Sequence, residues 1–163
     1  MVEKLFESRV YNISLEDDLS AISKIVNKSE LEIKNIVERT LKNKEKSYAP
    51  YSKFRVGCVL LTKNNEKVDG VNVENISYGL SICSERSAMV SAISLGIKPE
   101  DFELFSVCTD KEEFLTPCGA CRQFMSEFPS IKFVLIVNNS GLIRITTVKE
   151  LIPFVFETED LKK

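Results

Sequence analysis

Two short cysteine motifs constrain this chain more than any other feature of its sequence. The first is Cys83-Ser84-Glu85-Arg86, and the second, further along the chain, is Pro117-Cys118-Gly119-Ala120-Cys121. Three thiols and one carboxylate at these spacings can build a single zinc site with a general acid/base beside it. A structural zinc is closed by four protein ligands, whereas this chain has no histidine, and its two other cysteines, Cys58 and Cys108, stand singly. The motifs therefore predict a catalytic zinc with one coordination position open to water.

The spacing within each motif separates the metal ligands from the carboxylate. Side chains three positions apart share a helix face, as Cys118 and Cys121 would, whereas side chains two apart, such as Cys83 and Glu85, do not. We therefore predict that Cys83, Cys118 and Cys121 bind one Zn²⁺ per chain. Glu85 is predicted to stand beside the metal without ligating it and to act as the catalytic acid and base.

An arginine is expected next to the zinc ligands. Zinc held by three thiolates carries a formal charge of about −1, which a neighbouring cation would offset. Arg86 and Arg122 each follow directly on a ligand-bearing segment. Of the two, we predict that Arg86 lies at the site.

Each motif alone has a simpler interpretation. A single Cys-x-x-Cys is as often a redox or structural pair, and Glu85 could be an ordinary first-turn glutamate on a helix. A non-catalytic zinc module for protein binding would need a fourth protein ligand or a lost glutamate, and a redox protein would leave Cys83-Ser84-Glu85 unexplained. The conjunction of the two motifs favours catalytic zinc.

Length and charge limit the other possibilities. A chain of 163 residues suits one globular unit, and a net charge of −2 without a basic stripe argues against nucleic acid as a partner. No apolar run has the length of a signal peptide or membrane span, so no membrane partner is expected. An odd number of cysteines, without an export signal, favours free thiols and a cytoplasmic location.

Hydrophobic periodicity predicts an alternation of helices and strands. In chain order, we predict a helix from Ser14, a helix capped by Ser29, strands Phe54 to Thr62 and Lys67 to Val73, a helix Cys83 to Leu95, a strand Leu104 to Thr109, a helix Gly119 to Phe128, strands Lys132 to Val137 and up to Thr147, and a short helix Val148 to Ile152. This order predicts an α/β fold of three α/β/α layers with a mixed five-stranded sheet. The site is expected where two helix N-termini converge at the ends of central strands.

At this point the sequence resembles the small, homo-oligomeric cytidine deaminase family. The motifs that carry the resemblance stand in family order and spacing over roughly Glu45 to Leu161: Tyr51-Ser52-Lys53-Phe54, Asn72-Val73-Glu74-Asn75, Cys83-Ser84-Glu85-Arg86, Pro117-Cys118-Gly119-Ala120-Cys121-Arg122-Gln123 and Glu150-Leu151-Ile152-Pro153. The resemblance implies a cytidine deaminase-like catalytic domain over residues 29–163. Residues 1–28 exceed the usual family N-terminus and are interpreted as an extension containing the first predicted helix.

The resemblance implies a reaction, an assembly and a set of substrate contacts. The reaction is zinc-dependent hydrolytic deamination of cytidine and 2′-deoxycytidine to uridine and 2′-deoxyuridine in pyrimidine salvage, with ammonia released, and the assembly is a homotetramer. Side chains two positions apart on a strand point to the same face, so Asn72 and Glu74 can converge on a ribose, as the resemblance implies. The substrate contacts implied by the resemblance are Phe54 on the pyrimidine, Asn72 and Glu74 on the ribose, Tyr78 in the lining, the backbone of Ser84 and the carbonyl of Thr116 at the exocyclic amine, and Phe156 closing a neighbouring subunit's site. Arg86 and Gln123 are expected around the metal ligands.

Two positions within the motifs depart from the family pattern. Ser84 stands where the family usually has alanine, and Arg55 replaces the usual proline after Phe54. A related enzyme acting on another cytosine-bearing compound, such as blasticidin S, is the alternative function. The ribose-binding pair favours the nucleoside.

Overall fold

The computed structural model describes residues 9–156 and 158–161. Within them one mixed sheet has the strand order β1-β6-β5-β4-β2-β3. The strands are β1 (Tyr11–Asn12), β2 (Val56–Thr62), β3 (Lys67–Val71), β4 (Phe102–Thr109), β5 (Phe133–Val137) and β6 (Leu142–Thr146). Only the β4–β5 pair is parallel among the described strand pairs, so the sheet is mixed, as predicted.

Five α-helices and four short 3₁₀-helices accompany the sheet in the described part of the chain. The α-helices are α1 (Glu16–Val26), α2 (Glu30–Asn43), α3 (Ser84–Ser94), α4 (Gly119–Ser126) and α5 (Val148–Leu151). The 3₁₀-helices cover Lys44–Lys46, Tyr78–Leu80, Pro99–Asp101 and Thr158–Leu161. None of the helices described here combines the length and apolar content needed to span a membrane.

Local sequence signals account for the helix ends. Ser29 and Glu32 form the predicted capping box at α2, in which the Ser29 hydroxyl accepts from the Glu32 amide and the Glu32 carboxylate accepts from the Ser29 amide. Asn27 ends α1 in the left-handed conformation at φ 54°, and Gly96 follows α3 at φ 82°. Caps of this kind satisfy backbone groups that a helix leaves unpaired, so they set the boundaries locally.

Alternation along the central strands sends side chains into two separate cores. On one face of β4, Phe105 and Val107 pack with residues of α3 and α4, and on the other face Leu104 and Cys108 pack with residues of α1 and α2. β5 alternates in the same way. The sheet is therefore covered by helices on both faces, which confirms the predicted three-layer α/β architecture.

The predicted number of strands was wrong, because the sheet has six strands instead of five. The additional strand β1 lies in the N-terminal segment, forms one edge of the sheet and pairs antiparallel with β6. It has only two residues, Tyr11 and Asn12, and a strand this short shows no alternation of its own. Leu19, Ile22 and Val26 of the following helix are buried in the same core as β4 and β5, so β1 and α1 both pack onto the sheet.

A close approach between strand and helix places α3 against the sheet. A Cβ atom on Gly70 would lie 2.2 Å from the carbonyl oxygen of Ser84 and 2.8 Å from the Ala88 Cβ. Only glycine allows β3 to come this near to the first turn of α3. The start of α3, which carries the first cysteine motif, is thereby held at the strand end.

Candidate active site

The two cysteine motifs meet at the N-termini of α3 and α4. Cys83 is the N-cap residue of α3, Cys118 is the N-cap residue of α4, and Cys121 is buried in the first turn of α4. A helix N-terminus carries a partial positive charge, which favours thiolates. The predicted convergence of two helix N-termini is present, and it brings the three predicted metal ligands together.

The sulfur positions fit a zinc ion. Cys83 Sγ lies 3.8 Å from Cys118 Sγ, Cys118 Sγ lies 3.6 Å from Cys121 Sγ, and all three sulfurs are within 4.8 Å of one another. Tetrahedral zinc with bonds of about 2.3 Å separates its sulfur ligands by about 3.8 Å. Among the described residues this group contains three thiols and no fourth His, Cys, Asp or Glu ligand, so the donor set matches a zinc site with an open position.

Arg86 supplies positive charge beside the thiols. Its Nη2 lies 3.5 Å from Cys83 Sγ. A hydrogen bond from the Cys121 thiol, together with Arg86, lowers the pKa of Cys83 to about 5. The other candidate, Arg122, donates to the carbonyls of Pro117 at 2.7 Å and Leu151 at 2.9 Å. Arg122 therefore binds the backbone around α4 and α5, whereas Arg86 contacts a thiol.

Glu85 is buried beside the thiols, next to Ser84. Its side chain is 4% exposed, and burial raises the pKa of its carboxyl group. Ser84 Oγ donates to Glu85 Oε2 at 2.9 Å. A raised pKa helps a carboxyl group to exchange protons near neutral pH.

A cleft of about 620 Å³ opens over this group. Of the predicted site residues it is lined by Phe54, Asn72, Glu74, Tyr78, Cys83, Ser84, Glu85, Thr116 and Cys118. Tyr78 lies at the exposed rim, where its ring makes an edge contact with Tyr51 at 6.2 Å between centroids. The structure thus brings most of the predicted substrate contacts into one cleft.

Asn72 and Glu74 reach the cleft beyond the end of β3. The Asn72 side-chain amide binds the backbone where the chain enters β2. Its Nδ2 donates to the Phe54 carbonyl at 2.9 Å, and its Oδ1 accepts from the Val56 amide at 2.9 Å. Glu74 accepts from the backbone amides of Tyr51 at 2.9 Å and Ser52 at 3.2 Å, and from the Ser52 hydroxyl. Both side chains are fixed by hydrogen bonds before any substrate arrives.

Sequence reasoning missed two residues that support the segments lining the cleft. One is Ser52, whose hydroxyl, against the effect of burial, lowers the pKa of Glu74. The other is Asp110, which accepts from Arg55 through Nε and Nη2 at 2.9 Å each and so ties the segment after Phe54 to the end of β4. Their partners lie far away along the chain, so no spacing rule could identify them.

Four predicted residues lie outside the cleft lining, namely Arg86 and Cys121, which belong to the thiol group, and Gln123 and Phe156. Gln123 is exposed, and its Nε2 donates to the Phe156 carbonyl at 2.9 Å and to Ser126 Oγ at 3.3 Å. The Phe156 side chain is 60% exposed. In the described structure Gln123 therefore binds the backbone at Phe156, and Phe156 is not part of the cleft lining of its own chain.

The fold, together with three cysteines that converge beside a buried glutamate, defines the deaminase class, and comparison with known proteins gives the same result. The family model described as "Cytidine and deoxycytidylate deaminase zinc-binding region" matches residues 31–137. A probable cytidine deaminase from Dictyostelium discoideum is 42% identical over 131 residues, covering 80% of this chain and 87% of that protein. A cytidine deaminase from Halalkalibacterium halodurans is 40% identical over 127 residues, covering 77% and 95%.

Among solved structures, cytidine deaminase from Burkholderia pseudomallei superposes with a TM-score of 0.72 at 40% identity, covering 76% of this chain and 98% of that one. The chain belongs to the cytidine and deoxycytidylate deaminase family.

Proposed function

We propose that this protein is a zinc-dependent cytidine deaminase that hydrolyses cytidine and 2′-deoxycytidine to the corresponding uridines and ammonia. The observation that carries the proposal is the buried Glu85 beside three thiol sulfurs within 4.8 Å of one another, at a cleft large enough to admit a nucleoside. The similarity to relatives named cytidine deaminases at about 40% identity supports the same reaction.

The metal in this proposal is one Zn²⁺ per chain, held by Cys83, Cys118 and Cys121. When bound, zinc supplies the Lewis acid that makes water a competent nucleophile near neutral pH. Arg86 offsets the excess negative charge of three thiolates through its contact with Cys83 Sγ.

Glu85 moves the protons. Its carboxylate takes one proton from the attacking water and delivers it to a ring nitrogen of cytosine. It then takes the remaining proton from the hydroxyl added to the ring and delivers it to the amine, so that the carbon–nitrogen bond breaks and ammonia leaves. Thr116 and Ser84 line the cleft, and the carbonyl of Thr116 and the backbone at Ser84 can hold the exocyclic amine. Burial of Glu85 keeps bulk water away from these transfers.

The cleft favours a nucleoside over a nucleotide. Within residues 9–156 and 158–161 the lining contains neither lysine nor arginine, and a phosphate needs such a partner when it leaves water. Glu74 brings a carboxylate to the same cleft and would repel a phosphate, whereas with Asn72 it can accept hydrogen bonds from ribose hydroxyls. Phe54 and Tyr78 supply apolar surface for the base and sugar.

The direct test is cytidine turnover by the purified protein, followed by the ultraviolet change on forming uridine, with a zinc count per chain. Turnover with one zinc per chain is the expected result. Glu85→Gln should retain zinc and lower kcat by about 10²-fold or more, because the proton carrier is lost. Zinc with no turnover of cytidine or deoxycytidine would contradict the nucleoside assignment, and blasticidin S would be the next substrate to assay.

We further propose that the active form is a homotetramer in which Phe156 reaches a neighbouring subunit's cleft. Apolar side chains are exposed close to the cleft, including Ile76, Tyr78 and Leu80 at 66–76%, and an apolar rim of this kind is typical of a surface covered by another subunit. The exposed Phe156 supports the same arrangement. The free thiols suit a reducing compartment, and we propose the cytoplasm.

Subunit complementation tests the role of Phe156. Phe156→Ala and Glu85→Gln subunits should each be weakly active alone, while co-expressed subunits should recover part of the activity. A Glu85→Gln subunit can then lend its intact Phe156 to a neighbour with an intact Glu85. Mixed tetramers without any recovery would show that Phe156 does not act across the interface.

A further inference from the structure

The Ser84 hydroxyl has no role in the reaction proposed above. Its Oγ donates to Glu85 Oε2 at 2.9 Å, and the two residues are 0% and 4% exposed. Neighbouring residues on a helix do not normally face each other, so this contact requires both side chains to turn to the same side of α3. Both residues line the cleft. The hydrogen bond therefore lies at the reacting end of the cleft.

The Ser84 backbone is held firmly enough to orient another group. Its carbonyl oxygen accepts a hydrogen bond from Cys58 Sγ at 3.1 Å, and a Cβ atom on Gly70 would lie only 2.2 Å from that oxygen. Strand β3 thus packs directly against the backbone of Ser84. A hydroxyl attached to this fixed backbone has little freedom to follow a moving carboxylate.

A carboxylate that carries protons needs one oxygen held and the other free. Glu85 has several rotatable bonds, and each bond fixed in advance removes an entropic cost from the reaction. Holding Oε2 leaves Oε1 as the oxygen that exchanges protons with water and substrate. An alanine at position 84 has no donor and cannot do this.

We propose that Ser84 is a positioning residue, which holds the Glu85 carboxylate in one orientation through Oε2 and presents Oε1 to the substrate. The kinetic part of this proposal rests on the proposed deaminase function. The structural part, that Ser84 fixes the Glu85 side chain, stands independently of the substrate.

The experiment compares zinc-loaded wild-type protein with Ser84→Ala, and uses Ser91→Ala as the control. Ser91 lies on the same helix but outside the cleft lining. Alanine is smaller than serine and a better helix former, so Ser84→Ala is expected to fold. Crystal structures report the Glu85 conformer, and steady-state kinetics with cytidine report kcat and KM separately.

The expected structural result is a Glu85 side chain with more than one conformer in Ser84→Ala. The expected kinetic result is a kcat lower by about two- to tenfold and a KM within about twofold of wild type. A change of this size in kcat alone is what the loss of one hydrogen bond made in the transition state would cause. Ser91→Ala should behave as wild type. In the Glu85→Gln background, Ser84→Ala should lower the residual turnover no further, because the group it positions is gone.

A Glu85 side chain that keeps its single conformer in Ser84→Ala would overturn the proposal, whatever the activity. An unchanged kcat in that variant would also overturn the kinetic part. If the wild-type protein fails to deaminate cytidine, the proposed function is lost, but the two crystal structures still decide whether Ser84 orients Glu85.

Discussion

At the scale of single residues, the site depends on charge held close to a few buried groups. Cys83 has three partners that favour its thiolate, the thiols of Cys121 and Cys118 and the Arg86 guanidinium, the last at 3.5 Å. Arg122 occupies the equivalent place after the second motif and instead binds backbone carbonyls and the Thr116 hydroxyl. The two arginines look alike in the sequence, and their contacts distinguish them.

The contact of Arg86 with Cys83 predicts weaker zinc binding when its charge is removed. Arg86→Gln should lower zinc affinity by about 10- to 100-fold, as the loss of an outer partner of a metal ligand does in other sites. Arg86→Lys keeps the charge and should lose less. Competition with a chelator of known affinity measures the change, and equal zinc affinity in wild type and Arg86→Gln would contradict the assigned role.

At the scale of elements, helices α3 and α4 present the site and the sheet fixes their starting points. Gly70 lets β3 approach the first turn of α3, and the parallel pair β4–β5 is joined by the segment that carries α4. On the opposite face, α1 packs with α2 against the sheet. The division into residues 1–28 and 29–163 stays a prediction, yet α1 shares one core with the strands that hold the site.

That shared core predicts that the N-terminal helix contributes to global stability. Ile22 is 0% exposed, so Ile22→Ala should lower the free energy of unfolding by about 2–5 kcal/mol through lost contacts and a residual cavity. Ile25, 41% exposed on the same helix, is the matched control, and Ile25→Ala should change little. Urea unfolding of both variants measures this. Equal stability of the two would indicate that the extension folds independently of the catalytic domain.

At the scale of the whole molecule, an ionic network joins distant segments below the cleft. Asp110, at the end of β4, accepts from Arg55 and lies 3.4 Å from Lys44 Nζ, whose side chain is only 8% exposed. Burial opposes the charge on Asp110, but hydrogen bonds from Arg55 and Lys44 outweigh it and lower the pKa of Asp110. The network thus links the 3₁₀-helix that follows α2, the entry to β2 and the end of β4 through the ionised form of Asp110.

The lowered pKa gives this network a pH dependence with a definite sign. A carboxyl group with a depressed pKa in the folded state stabilises the fold above its unfolded pKa of about 3.9, and this stabilisation disappears as pH falls through the folded value. Asp110→Asn should therefore cost about 1 kcal/mol at pH 7 and progressively less below about pH 4. Urea unfolding at both pH values checks the prediction. A difference that does not shrink on acidification would contradict it.

Much of this protein could be predicted from its sequence, because the signals concerned are local. Each of these signals involves only a few neighbouring residues. They are the Ser29 capping box, the termination of α3 at Gly96 and the two cysteine motifs, and the structure contains each of them. The α/β class follows from periodicity over single elements, and it is confirmed. Local hydrogen bonding and side-chain spacing are sufficient to determine these features.

The tertiary structure decided what depends on partners distant in the chain. Strand β1 exists because the edge of β6 offers it hydrogen bonds, and the choice between Arg86 and Arg122 depends on which guanidinium the folded backbone turns toward a thiol. The hydrogen bond from the Ser84 hydroxyl to Glu85 forms at the start of α3, whose position is fixed because Gly70 allows β3 to pack closely against it. A sequence specifies which groups are available, whereas close packing decides which of them meet, since each contact depends on the position of every element around it.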